Sequence, residues 1–203
     1  LDFKKTCQSK KKGTDILWEG RPAKLGGIKQ FANGLRDGRF KDSLHINFVT
    51  NTEYYRLLGR YLPNNTSALL RRSIGDLYSQ STLIPWSLKN LVDVAGRSSA
   101  AIIPIQLSSP LQYMKPENRL LIMWRLGLPC LTSASPAYQR VTTMAGLDTI
   151  CTSAEDWEAK LLQIIENPEF AREIVCQGQK FLKENHTSEI LLSKWDRAVE
   201  SVL

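Results

Sequence analysis

The 203-residue chain reads as an α/β protein, a three-layer sandwich with helices on both faces of a six-stranded parallel sheet. Three observations predict this. Short apolar runs alternate with segments of helical spacing along the whole chain. The most apolar run, Ala100-Ala-Ile-Ile-Pro-Ile105, has the continuous character of a strand buried on both faces. Finally, 42% hydrophobic and 23% charged residues give one large core and exclude a disordered, collagenous or coiled-coil chain.

The elements follow in order. Asp15-Ile-Leu-Trp-Glu19 is a first strand ended by Gly20. Residues 25–35 carry Ile28, Phe31, Ala32 and Leu35 at helical spacing, and residues 44–49 alternate as a second strand. Tyr54, Leu57, Leu58 and Tyr61 predict a helix over 53–61, and a short helix is expected at 67–74. Residues 82–86 read as a third strand, and 88–96 as a helix with Leu88, Leu91, Val92 and Ala95 on one face. The fourth strand is 100–105. After the loop 106–115, a helix is expected over 116–126, with Pro116 at its first position and Leu120, Met123, Trp124 and Gly127 on its core face. Strands at 129–133 and 148–151 flank a helix at 136–144. Ser153, with Asp156 three residues on, caps a helix to Asn167. Helices at 168–185 and 188–202 complete the chain, the last with Leu191, Leu192, Trp195, Val199 and Val202.

Charge is unevenly placed. The net charge is +7, but residues 1–14 hold five lysines against Asp2, a net +4, leaving +3 for the rest. A groove-binding nucleic-acid protein needs a basic body, so that class is not expected. The lysine-rich lead suits a linker or contact with an anionic membrane surface. With no Met at position 1, no apolar leader and one domain's worth of elements, the chain is expected to be part of a longer protein. Its parts are a basic lead at 1–14 and a single domain at 15–203. The cysteines at 7, 130, 151 and 176 form no Cys-x2-Cys pair, and His45 and His186 lie far apart. Reduced, buried thiols, a cytoplasmic setting and no metal are expected.

Dinucleotide-binding, phosphate-loop and nucleophile-elbow motifs are absent, since no Gly-x-Gly, Gly-x4-Gly-Lys or Gly-x-Ser-x-Gly occurs. Ligands of open parallel sheets sit beyond the strand carboxyl ends, where the strand order reverses. The loops after the first and fourth strands, 20–27 and 106–115, are therefore the expected site, and they carry Lys, Arg and Ser but no Asp or Glu. Gly20-Arg21-Pro22-Ala23-Lys24-Leu25-Gly26-Gly27 leads into a helix, where backbone N–H groups and the charges of Arg21 and Lys24 suit an anion. Ser108-Ser109-Pro110, followed by Lys115-Pro116-Glu117-Asn118-Arg119, offers hydroxyls and cations ahead of the next helix. A diphosphate between the two segments would meet two helix starts and bidentate arginine.

The stretch from Lys115 through Gly127-Leu-Pro129 to Ser133, followed by Pro136-Ala137-Tyr138, resembles the donor-site signature of GT-B glycosyltransferases, especially those of the family 4 type. Residues 16–28 are similar to that family's Gly-Arg followed by Lys and Gly. The resemblance implies a Rossmann-like, C-terminal nucleotide-sugar-binding domain that works with a separate N-terminal acceptor domain. It implies transfer of a sugar from a nucleotide-sugar to a glycan or lipid-linked acceptor, as in polysaccharide biosynthesis, in the cytoplasm and with peripheral contact on the inner membrane face. The nucleotide-sugar is the substrate and no further cofactor is implied. Arg21, Lys24, Lys115, Asn118 and Arg119 would meet the phosphates, with Ser109 beside them, and Trp86 either packs beside the nucleobase or is a core or rim aromatic. The family's Glu-x7-Glu is missing, for its two positions hold Met114 and Ile122. Affinity is therefore expected to come mainly from the diphosphate, with weak discrimination of ribose unless Glu117, one turn earlier, replaces the missing acceptor. A non-catalytic assembly module of the same fold and another phosphate-binding α/β domain remain as alternatives.

Overall fold

The computed structural model describes residues 15–35, 39–40, 43–56 and 62–201. The basic lead with Cys7, and Leu57, Leu58, Tyr61 and Val202, lie outside the described residues. Strands β1 (Asp15–Glu19), β2 (His45–Thr50), β5 (Ser81–Pro85), β6 (Ala100–Ile103), β7 (Cys130–Ser133) and β8 (Ile150–Cys151) form a six-stranded sheet ordered β5-β2-β1-β6-β7-β8. Every neighbouring pair is parallel, with Ile16 beside Ile46 on one side and Ala100 on the other. The sheet is therefore the one expected from the sequence. Because β1 leads outward to β2 and β6 leads the other way to β7, the order reverses between β1 and β6.

The two-residue alternation of strand side chains divides the core into two layers. Ile16, Trp18, Ile46, Phe48, Ala100 and Ile102 point to one face. They pack under α1 (Ile28–Leu35), α2 (Thr66–Ile74) and α7 (Ala154–Glu166), whose Phe31, Leu35, Leu70, Trp157 and Leu161 are buried there. Leu17, Val49, Ala101 and Ile103 point to the other face. That face lies under α3 (Leu88–Arg97), α5 (Asn118–Arg125), α6 (Pro136–Met144) and the end of α8 (Pro168–Asn185), with Leu91, Trp124, Tyr138 and Phe181. Helix starts are set by short side-chain caps. Asn65, Ser87, Asn167 and the Ser153–Asp156 capping box each accept or exchange bonds with first-turn N–H groups. The last helix, α9 (Ser188–Glu200), buries none of its side chains, and Leu191, Leu192, Trp195 and Val199 stay exposed. No helix among the described residues is long and apolar enough to cross a membrane.

Three expectations are corrected. Residues 53–56 are not helical: β3 (Glu53–Arg56) pairs antiparallel with β4 (Leu62–Asn65) in a separate two-stranded ribbon. The Tyr54 spacing fits a helix, but two adjacent tyrosines also suit a half-exposed strand. The base of the ribbon is closed from a distance, as Thr66 donates from N to Thr52 O at 3.0 Å and from Oγ1 to Asn51 O at 2.7 Å. The helix expected from Pro116 begins at Asn118, and the loop before it contains a single turn, α4 (Pro110–Tyr113). Gly127 is not part of a core face; it ends α5 at φ 72°, a left-handed cap. Its N–H reaches Trp124 O and that of Leu128 reaches Met123 O, both at 3.0 Å.

Candidate functional site: a cation cluster at the sheet's switch point

The loops after β1 and β6 meet where the strand order reverses. A 3₁₀ turn at Pro22–Gly27 leads from β1 into α1. Gly27 lies directly on the chain leaving β6; a Cβ there would stand 2.5 Å from Pro104 O and 2.7 Å from Ile105 C. That second loop is itself held to the sheet, since Ile105 N donates to the buried Ser133 Oγ at 2.9 Å. At the end of β2, Val49 O accepts from Gly20 N at 3.4 Å and Thr50 O from Trp86 N at 2.9 Å, which draws the loop after β5 to the same mouth.

Arg21, Lys24, Lys115 and Arg119 converge there. Lys24 is held well below the usual lysine range, at about 8, first by burial and then by the adjacent Lys115 ammonium and the charges of Arg119 and Arg21. Like charges gathered without a matching anion disfavour the protonated lysine, and a bound anion would relieve this. Arg119 is the most firmly placed of the four. Its Nη1 donates to Glu19 O at 3.0 Å, and its guanidinium also engages the buried Tyr138 hydroxyl. Gly20 makes room for it, because a Cβ would stand 3.0 Å from Nη1 and 3.2 Å from the Trp18 ring.

The other expected site residues divide. Asn118 is exposed at the first position of α5, and Ser109 caps α4 through its backbone carbonyl, which accepts from Gln112 N and Tyr113 N at 2.9 Å. Glu117 forms an ion pair with a residue outside the four: Arg140 Nη2 donates to its Oε1 at 2.9 Å. Ile122 packs partly buried against the second core layer. Trp86 is a rim aromatic, 50% exposed, whose Nε1 donates to Glu19 Oε1 at 3.0 Å.

Glu19 itself was missed in the sequence, where it reads only as the end of a strand. The available signal was a charge closing a buried strand immediately before Gly20. Its carboxyl is raised above the ordinary value by burial, against the lowering effects of the Arg119 charge and the Trp86 N–H. Among the described residues, no group of three or more His, Cys, Asp or Glu is placed to hold a metal ion.

Neither a protein-family model nor a curated protein matches the chain. Solved structures do. TarM, known from S. aureus, superposes at TM-score 0.69 with 9% identity over 97% of this chain and 37% of its own. WaaG, a glycosyltransferase involved in lipopolysaccharide biosynthesis, superposes at 0.63 with 13% identity over 89% of this chain and 45% of its own. The fold is that of a GT-B glycosyltransferase domain. The catalytic domain of cholesterol-α-glucosyltransferase from Helicobacter pylori matches at 0.61 with 13% identity, over 84% of this chain and 98% of that one. The chain thus spans less than half of TarM and of WaaG. At these identities the likeness is one of fold.

Proposed function

We propose that this domain binds the donor in a GT-B glycosyltransferase that moves a hexose-type sugar from a nucleotide-sugar to a glycan or lipid-linked acceptor. The observation that carries the reading is the convergence of Arg21 and Lys24, after β1, with Lys115 and Arg119, before and in the first turn of α5, onto the crevice where the strand order reverses. In such a transfer the departing nucleoside diphosphate gains charge. A preorganised set of cations lowers the barrier by stabilising that charge and by orienting the donor. Glycosyltransferases solved with UDP, among them the pneumococcal O-GlcNAc transferase GtfA with UDP and GlcNAc, make UDP the natural first probe. The acceptor would be presented by a second domain, so the domain alone is expected to bind donor without turning it over.

The test is titration of the chain with UDP, followed by amide chemical shifts. Half of a cleft supplies about 4 kcal/mol, a Kd near 1 mM, with shifts clustered at residues 20–27 and 115–119. Lys115→Glu replaces an attraction with a repulsion and should weaken binding at least tenfold. Binding that ignores this change and shifts only residues 1–14 would refute the reading.

A further inference from the structure

The switch-point crevice holds a carboxylate that phosphate binding does not use. Glu19 is the last residue of the central strand β1, half-buried, one position before the glycine against which Arg119 lies. One of its oxygens is occupied by the Trp86 indole N–H at 3.0 Å. The other accepts no hydrogen bond from any described residue. Every other charged side chain gathered here, Arg21, Lys24, Lys115 and Arg119, can only donate. A diphosphate satisfies donors, but the hydroxyls of the same ligand need an acceptor. Helix α5 offers less: position 122 is an isoleucine packed partly buried against the core, and the charge of Glu117 is already matched by Arg140 in an ion pair at 2.9 Å.

We infer that Glu19 is the hydroxyl acceptor of this site, its open oxygen taking a hydrogen bond from a vicinal diol of the nucleotide-sugar while Trp86 holds the other oxygen. The acceptor missing from α5 is thereby supplied from β1. The geometry favours this use. Arg119 reaches the Glu19 backbone carbonyl, so the carboxylate stands about a side chain's length from a phosphate-binding cation, the way a nucleotide's diol stands off from its phosphates. The Arg119 charge also offsets the repulsion between the carboxylate and a bound diphosphate. The inference rests on the donor-binding reading proposed above and goes beyond it by naming a residue that selects the ligand's hydroxyls.

Glu19→Gln is the decisive variant. Its amide oxygen can still accept from Trp86, but the open acceptor becomes an N–H2 donor. The chain and the variant are titrated with UDP, 2′-deoxy-UDP and UDP-glucose, with a thermal melt as a folding control. The unmodified chain should prefer UDP over 2′-deoxy-UDP about tenfold, the worth of one charge-assisted hydrogen bond. Glu19→Gln should erase that preference while leaving 2′-deoxy-UDP binding within about twofold. A preference lost instead between UDP-glucose and UDP would assign the diol to the sugar and equally support the inference. An unchanged pair of ratios in Glu19→Gln, or equal weakening of all three ligands, would overturn it. If the variant does not fold, an unmodified chain that discriminates neither pair overturns it as well. Failure of the donor-binding reading looks different: UDP is then not bound at all, or Lys115→Glu leaves its binding unchanged, and the inference falls with it.

Discussion

Replacing Gly27 by alanine adds one methyl group where the turn after β1 rests on the chain leaving β6. The added Cβ would lie 2.5 Å from Pro104 O, 2.6 Å from Pro104 C and 2.7 Å from Ile105 C, all backbone atoms. Ordinary carbon contacts begin near 3.5 Å, so one loop must retreat by most of an ångström. Ile105 is anchored to Ser133 and Leu25 is buried in the core, so neither side yields freely. Overpacking of this kind costs about 1–3 kcal/mol, and at about 2–4 °C per kcal/mol for a chain of this size the midpoint should fall by roughly 2–12 °C. Gly26→Ala is the matched control. Its Cβ would meet only the side-chain amide of the exposed Gln106, which can swing aside. Relief of unfolded-state entropy, about 0.4–1 kcal/mol, should then leave the melt unchanged or slightly raised. The assay is a thermal melt of both variants alongside UDP titration, because the retreat in Gly27→Ala also pulls Lys24 away from Lys115. Equal losses in the two variants, or a Gly27→Ala melt within a degree of the unmodified chain, would refute the backbone-contact argument.

Three further outcomes are expected. Lys24 titrates near 8 in the folded chain against 10.5 ordinarily, so its charged form costs stability below pH 8, and that cost is relieved as pH rises from 8 towards 10.5. A bound diphosphate favours the charged lysine, so UDP binding at pH 8.5 should take up protons, seen as different calorimetric heats in buffers of different ionisation enthalpy. Identical heats would contradict the cluster. Among the described cysteines, Cys176 is exposed whereas Cys130 and Cys151 are buried, with burial raising both thiols, Cys151 to about 12. An alkylating reagent followed by peptide mapping should mark Cys176 in the native chain and the other two only after denaturation. Ser153→Ala removes the α7 capping box and should cost about 1 kcal/mol, read as a lower urea midpoint with unchanged slope.

Local chemistry made much of the molecule legible. The strands are short apolar runs, and their number, their parallel pairing and the helices between them follow from the alternation. The two loops that meet at the crevice could be named in advance, because strand order in such a sheet must reverse somewhere, a basic, glycine-rich segment follows the first strand, and a serine pair and Lys115 follow the fourth. Caps such as Ser153 with Asp156 were equally visible, since their partners lie within one turn.

What depended on distant parts of the chain was not legible. The β3–β4 ribbon escaped because spacing within nine residues suits either a helix or a strand, and pairing with residues 62–65 decided between them. Glu117 looked like a site residue until Arg140, on another helix, claimed it. Cys176 joined the expected buried thiols because sequence alone does not say which face of α8 meets the core. Glu19 became a member of the site only when Trp86, 67 positions away, and Arg119, 100 positions away, closed on it. The sequence by itself determined the strands, the helices and the basic character of the crevice, because these arise from neighbours in the chain. The tertiary structure decided which charges face one another and which are already paired, because burial and pairing are set by residues that meet only after the sheet has formed.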